Sequence, residues 1–218
     1  MTKCTTAEEA LAFVRRHGVV LASAKGTAPR LTEAIVGEPI KGNYERRLSY
    51  MLRISKPMIA AINGPIAGVG FSIALYCDIR FMLDSANMST SFARRGLIAE
   101  HGTSWMLSRL IGPMNALDLL LTARKVTGSE AEKLGLVRAR PAATLMKDAV
   151  AFAQDIADNS SPRSTGIIKR LVYDAMFQTL AEALVVAEKE ELQSFTSDDF
   201  KEGVAHFVQR RKPVFTGR

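Results

Sequence analysis

The stretch Lys56-Pro57-Met58-Ile59-Ala60-Ala61-Ile62-Asn63-Gly64-Pro65-Ile66-Ala67-Gly68-Val69-Gly70-Phe71-Ser72 constrains this chain more than any other. Met58 to Ile62 is an apolar run of strand length, and Phe71 to Cys77 is an apolar segment suited to a buried helix. Gly64, Gly68 and Gly70 stand between them. Glycine lets the backbone approach a ligand closely and take conformations closed to other residues. The first turn of a helix leaves its N–H groups unpaired. A phosphate or a developing oxyanion is stabilised at such a place. The same spacing also suits a tight strand-to-helix turn with no ligand, because a lone glycine cluster is a weak signal. The loop is not a Walker A motif, since no Gly-Lys-Ser/Thr follows, and it does not read G-x-G-x-x-G.

A chain of 218 residues, 47% of them hydrophobic, can bury a real core as one large domain or a domain with a small appendage. No apolar run reaches bilayer length, and Met1 to Ala10 lacks the basic-then-apolar pattern of a secretory signal. Cys4 and Cys77 make no disulfide framework, so a cytoplasmic location is expected, with Cys77 a small buried hydrophobe. The net charge of +7 fits a polyanionic or phosphate-bearing partner. Its carriers are scattered, however: Arg46-Arg47, Arg94-Arg95 and Arg210-Arg211-Lys212. Aromatics are sparse and no recognition helix or RNA-binding signature is present, so no nucleic-acid partner is expected. The three histidines and two cysteines lack ligand spacing, and no metal site is expected.

Along the chain, Thr6-Ala7-Glu8-Glu9 reads as a capping box for a helix to about His17, and Val19 to Ser23 as a short strand. Glycines and Pro39 over 37–42 mark a linker. Helical period continues over Tyr44 to Ile54, with Leu48, Met51 and Leu52 on one face. Strands are predicted at Asp78–Leu83 and Met88–Ser91, with an irregular stretch over Arg94–Gly102. Helices are predicted at Thr103–Ile111, closed by Gly112-Pro113, and at Ala116–Thr122. Ser129-Glu130-Ala131-Glu132 reads as a second capping box. The rest is nearly all helix, over 144–159, 163–176, 179–194 and 197–210, with Ser197, Asp198 and Asp199 starting the last one.

From about Tyr44 onward the chain resembles the crotonase superfamily, the enoyl-CoA hydratase/isomerase family. The resemblance is carried by Lys56-Pro57…Ala60-Ala61-Ile62-Asn63-Gly64, Cys77-Asp78-Ile79-Arg80, Leu97-Ile98-Ala99-Glu100-His101-Gly102, Ala123-Arg124-Lys125-Val126-Thr127…Leu134-Gly135-Leu136-Val137 and Ser197-Asp198-Asp199-Phe200-Lys201-Glu202-Gly203…Arg211-Lys212-Pro213. It implies an α/β crotonase-like fold: a ββα spiral-type core, N-terminally incomplete, then a C-terminal helical trimerisation region. The implied division is 1–43 as a divergent segment, 44–142 as the core and 143–218 as the helical region. It implies an acyl-CoA thioester ligand, with CoA part of the substrate and no separate cofactor. It further implies enolate stabilisation by two backbone N–H groups, and a homotrimer or hexamer. By position one donor is Val69, between Gly68 and Gly70, with a helix opening at Gly70 behind it.

This chain departs from the family pattern in three places. The segment Phe-x-x-Gly-x-Asp, which carries the other donor, is not found upstream. Hydratases place glutamates where this chain has Ser72 and Phe92, and two carboxylates around one water are the usual way to hydrate an alkene. Ser72 can hold a water or simply bond its own helix backbone. Glu100 is the carboxylate that remains, as general base or acid, or as a helix N-terminal charge; His101 beside it orients a water or the glutamate, or is a surface histidine. Asp78 reads as a structural hydrogen-bonding residue. Lys212 and Phe215 fall where the family's tail meets CoA bound to a neighbouring subunit.

Overall fold

The computed structural model of the chain describes residues 42–218. The expected Thr6 capping box, its helix and the Val19–Ser23 strand lie outside them. The described residues fall into two units. One takes Met58–Ala149 with the described residues up to Met51; the other takes Leu52–Pro57 and Val150–Arg218.

The first unit is built on a parallel sheet in the order β1-β3-β6, with β1 at Ile59–Ile62, β3 at Ile79–Leu83 and β6 at Arg138–Arg140. Ile59 lies beside Ile79 and Ile62 beside Met82. Every residue of β1 is buried. A strand buried on both faces has no polar side to alternate with, which is why Met58–Ile62 is an unbroken apolar run. β6 has no such pattern and was not expected as a strand. Its Arg-Ala-Arg pairs through the backbone, Phe81 beside Arg138. The guanidinium groups of Arg138 and Arg140 each stand 5.7 Å from the Phe81 ring, within cation–π range.

Two polar residues of the Cys77–Arg80 block tie the sheet together. The Asp78 carboxylate accepts from the Met58 N–H at 2.6 Å, the structural role expected of it. Buried Arg80 donates to the Leu136 carbonyl at 2.8 Å and the Cys77 carbonyl at 2.5 Å, so backbone oxygens satisfy its buried guanidinium. Cys77 is buried, as expected.

A second small sheet joins β2 (Ile66–Ala67), β4 (Asn87–Ser89) and β5 (Val126–Thr127). Helices α1 (Val69–Leu75), α2 (Thr103–Thr122) and α3 (Gly128–Lys133) pack around the two sheets. The two helices expected on either side of Gly112-Pro113 are present and meet at a kink within α2, where Gly112, at φ 77° and ψ 160°, leaves the helical region. The capping box expected at Ser129 is not used. Thr127 is the N-cap, accepting from the Glu130 N–H at 3.2 Å; the Glu132 carboxylate instead accepts from the Ala139 N–H at 3.0 Å. β5 ends at Thr127, so the chain turns into α3 two residues earlier than the box implies. The expected Tyr44–Ile54 helix is reduced to a 3-10 turn at Ser49–Arg53, although Met51 and Leu52 are buried as the period required.

The second unit carries α5 (Pro162–Asp174), α6 (Leu180–Phe195) and α7 (Asp198–Gln209); α4 (Leu145–Asn159) runs into it from the first. These four helices lie where their apolar period put them, within two residues at each end. Ser197 caps α7, accepting from the Phe200 N–H at 3.1 Å. Asp199 does more than favour a helix start. It is 4% exposed and accepts from the Ser161 hydroxyl at 2.5 Å, the Thr216 N–H at 2.8 Å and the Gly217 N–H at 3.0 Å. One carboxylate thus joins the start of α5, the start of α7 and the C-terminal tail. Burial pushes its pKa up, but the Ser161 hydroxyl, the two tail N–H groups and Arg163 outweigh burial and hold it below the ordinary value.

A folded-state pKa below the unfolded one gives stability that is full above the unfolded value, about 3.9 for Asp. That stability is lost as pH falls through the folded value. Asp199→Ala is therefore expected to cost about 1–3 kcal/mol at neutral pH, the penalty for stranding buried donors. Thermal unfolding of both proteins checks it: the gap should be widest near pH 7 and narrow as pH falls below about 3.9.

Candidate active site

β1 delivers the chain into the 63–68 loop, and pairing of Ile66 and Ala67 with Met88 and Ser89 fixes that loop's exit. Gly68 then takes φ 56°, ψ −126°, the mirror image of extended backbone, which glycine alone adopts without strain. Gly68 is the N-cap of α1 and supplies no side-chain bond. Val69 is the first helical residue, one earlier than the expected opening at Gly70. Its N–H therefore belongs to the first turn, where no carbonyl within the helix can receive it. At seven residues α1 is short, so the N–H itself matters more here than a helix dipole. Gly70 lies beneath the loop; a Cβ there would stand 3.3 Å from Ile66 Cγ1.

Ser72 is fully buried. Its hydroxyl donates to the Gly68 carbonyl at 3.3 Å, the own-helix bond that the sequence allowed, and shares a 2.7 Å hydrogen bond with the Thr103 hydroxyl. Phe92 is also buried, at 4% exposure, and its carbonyl accepts from the Arg95 and Leu97 N–H groups, shaping the 3-10 turn at Ala93–Arg95.

Glu100 and His101 enter α2 through a tight turn. The Glu100 carbonyl accepts from the Thr103 N–H at 2.9 Å. His101 and Gly102 both have positive φ, 54° and 70°. The two side chains approach to 3.7 Å between His101 Nε2 and Glu100 Oε2. The Tyr76 hydroxyl donates to the His101 carbonyl at 2.9 Å, and burial raises the Tyr76 pKa, keeping that proton in place.

The structure thus joins Val69, Ser72, Glu100 and His101 through one short helix and the turn bonded to it. Tyr76 and Thr103 were not singled out from the sequence. The available signal was Tyr76 lying four residues after Ser72, on the same helical face.

Lys212 and Phe215 belong to the second unit. Lys212 is exposed. The Phe215 ring meets His206 edge-on, centroids 5.9 Å apart. Glu202 braces this tail: the Arg211 guanidinium, which it accepts twice, and the Val214 N–H hold its pKa down to about 2. Among the described residues no group of three His, Cys, Asp or Glu side chains is placed to hold a metal ion, and no helix is long and apolar enough to cross a membrane.

The family model for enoyl-CoA hydratase/isomerase matches residues 31–218. That match begins inside the segment before Tyr44 that the sequence reading set apart. A probable enoyl-CoA hydratase of Mycobacterium leprae is 36% identical over 166 residues, 76% of this chain and 64% of the relative. The 1,2-epoxyphenylacetyl-CoA isomerase of Escherichia coli is 30% identical over 194 residues, 88% of this chain and 72% of the relative. The crystal structure of enoyl-CoA hydratase from Bacillus anthracis superposes with a TM-score of 0.76 at 28% identity, covering 78% of this chain and 66% of that one. This chain spans about 64% of the length of the Mycobacterium leprae relative. With the family's fold, its blocks in order and a match along most of its length, the chain belongs to the enoyl-CoA hydratase/isomerase family of the crotonase superfamily.

Proposed function

We propose that this protein binds an acyl-CoA thioester and promotes proton transfer next to its carbonyl through a stabilised enolate. The observation that carries this is the Gly68–Val69 turn. Gly68 holds a conformation reserved for glycine and so turns the first N–H of α1, that of Val69, out of any helical bond. When a base removes the α-proton, negative charge moves onto the thioester oxygen, and a fixed N–H donor there lowers the barrier. Glu100 is the base or acid, with His101 at 3.7 Å able to hold its orientation. Gly68 and Gly70 give the thioester room. Ser72 and Phe92 belong to the acyl-binding wall, yet both are buried and supply neither of the two carboxylates of a hydratase, so double-bond shift fits this site better than hydration. CoA arrives as part of the substrate, and no other cofactor is invoked. Lys212 and Phe215, on the tail braced by Glu202, contact CoA held by a neighbouring subunit. Self-association into a trimer or hexamer is supported by the apolar side chains that α6 and α7 leave exposed, among them Leu180, Leu192, Phe207 and Val208. A cytoplasmic, fatty-acyl role completes the reading.

A second reading is favoured by Ser72 and Phe92, both buried and neither ionisable: an acyl-CoA-binding or assembly homologue without turnover. Two assays separate them. Loss of the conjugated thioester absorbance of crotonyl-CoA reads hydration, and deuterium wash-in at Cα of butyryl-CoA reads the enolate whatever the product. Wash-in is expected, and Glu100→Gln should lower it by about a hundredfold or more. Acyl-CoA binding in a calorimeter with neither signal from the folded protein selects the second reading. Unchanged wash-in in Glu100→Gln removes Glu100 from the mechanism.

A further inference from the structure

Glu100 sits at the entrance to a turn with a strained backbone. His101 at φ 54° and Gly102 at φ 70° are two successive left-handed residues, and the first carries a side chain that disfavours the conformation. Two bonds, from one helix and its C-cap, hold this turn on both sides. The Tyr76 hydroxyl donates to the His101 carbonyl at 2.9 Å, and the Ser72 and Thr103 hydroxyls share a hydrogen bond at 2.7 Å. Ser72 lies on α1 and Tyr76, four residues on, is its C-cap with helical φ and ψ, so the two side chains stand one above the other. Ser72 and Thr103 are completely buried, so water does not compete for their bond, and Tyr76 is 5% exposed. The fit is close as well: a Cβ on Gly102 would collide with the Tyr76 hydroxyl. The helix that makes these bonds is the helix that begins with Val69, and Ser72 also bonds the Gly68 carbonyl at its head.

We propose that Ser72, Tyr76 and Thr103 are positioning residues, which lock the Glu100–Thr103 turn to α1 and so fix where the Glu100 carboxylate stands relative to the Val69 N–H. The proposal rests on the reading of Val69 and Glu100 given above. In this light Ser72 is more than a carboxylate lost: at the place where hydratases carry an acid, this chain carries one end of a brace for the acid it keeps elsewhere.

Tyr76→Phe and Thr103→Val remove one hydroxyl each with little change of shape, and Thr103→Ser keeps the hydroxyl. Two readouts are needed. The first is amide hydrogen exchange, followed by mass spectrometry over 97–107. Tyr76→Phe and Thr103→Val should speed it roughly tenfold, the worth of one lost hydrogen bond, while peptides from β1 and β3 keep their wild-type rates. The second is deuterium wash-in into butyryl-CoA. Its maximal rate should fall by about ten- to a hundredfold, as for a catalytic group displaced by up to an ångström, with KM within about twofold. Thr103→Ser should match wild type in both. In a Glu100→Gln background, Tyr76→Phe should cost nothing further. The proposal is overturned if 97–107 exchanges at wild-type rate in both variants. It also fails if exchange rises but wash-in does not fall, or if Tyr76→Phe costs the same factor with and without Glu100. Absence of wash-in from the wild-type protein sinks the enzymatic reading instead, and the amide exchange still decides whether the brace exists.

Discussion

Gly128→Ala is expected to destabilise this protein by at least about 3 kcal/mol, the upper end of overpacking penalties, and to lower its melting temperature by roughly 6–12 °C for a chain of this size. The reason is local and rigid. Gly128 is the first residue of α3 and donates to the Ala86 carbonyl at 2.9 Å, while the Ser129 N–H donates to the Asp84 carbonyl at 3.0 Å. The helix start is therefore seated directly on the turn after β3. A Cβ on Gly128 would run into the Leu83 carbonyl and come within 3.1 Å of Asp84 Cα. All these atoms are backbone, so no rotamer change relieves the clash. The cost falls on β3, the middle strand of the parallel sheet. Gly203→Ala supplies the contrast. It lies inside α7, and the nearest atom a Cβ would meet is a Phe215 ring carbon at 4.0 Å. That substitution should stabilise by about 0.5–1 kcal/mol, the helix-interior cost of glycine. Thermal or denaturant unfolding of the two variants checks both signs. Equal effects would mean that close packing at Gly128 is not what makes glycine necessary there.

How much of this was legible in the sequence depended on whether a residue acts along its own element or across the fold. The long C-terminal helices were, because 3.6-residue apolar periodicity is a property of one segment. So was β1, since full burial leaves an unbroken apolar run. Arg138–Arg140 was not: a strand that contributes backbone to β3 and guanidinium groups to Phe81 has no apolar pattern to read. The Ser129 capping box fitted the motif but failed because Thr127, ending β5, reached the cap position first. Asp199 looked like an ordinary helix N-terminal acid. Its partners, Ser161 and the tail N–H groups of Thr216 and Gly217, are 17 to 38 residues away in sequence, beyond any local pattern.

The candidate site divides in the same way. The glycine loop, Val69 and Glu100 came from local motif and family resemblance. The bonds that bring Glu100 and Val69 onto one support run through Ser72, Tyr76 and Thr103. They depend on how α1 packs against the entrance of α2, which no window of sequence contains.

The central claim is that the Val69 N–H stabilises the enolate oxygen, and Val69→Pro tests it most directly. Proline removes that N–H and nothing else essential. Position 69 is the first of α1, where proline's fixed φ is favoured and the missing donor breaks no helical bond. Gly68, at φ 56°, ψ −126°, holds the mirror image of the extended backbone that a residue before proline prefers, which glycine can adopt. The measurement is deuterium wash-in at Cα of butyryl-CoA, with melting temperature and acyl-CoA affinity recorded on the same preparations. The account predicts a loss of about a hundred- to a thousandfold in rate, as for other oxyanion donors, with folding and binding close to wild type. Wash-in at the wild-type rate from a folded Val69→Pro protein would contradict it.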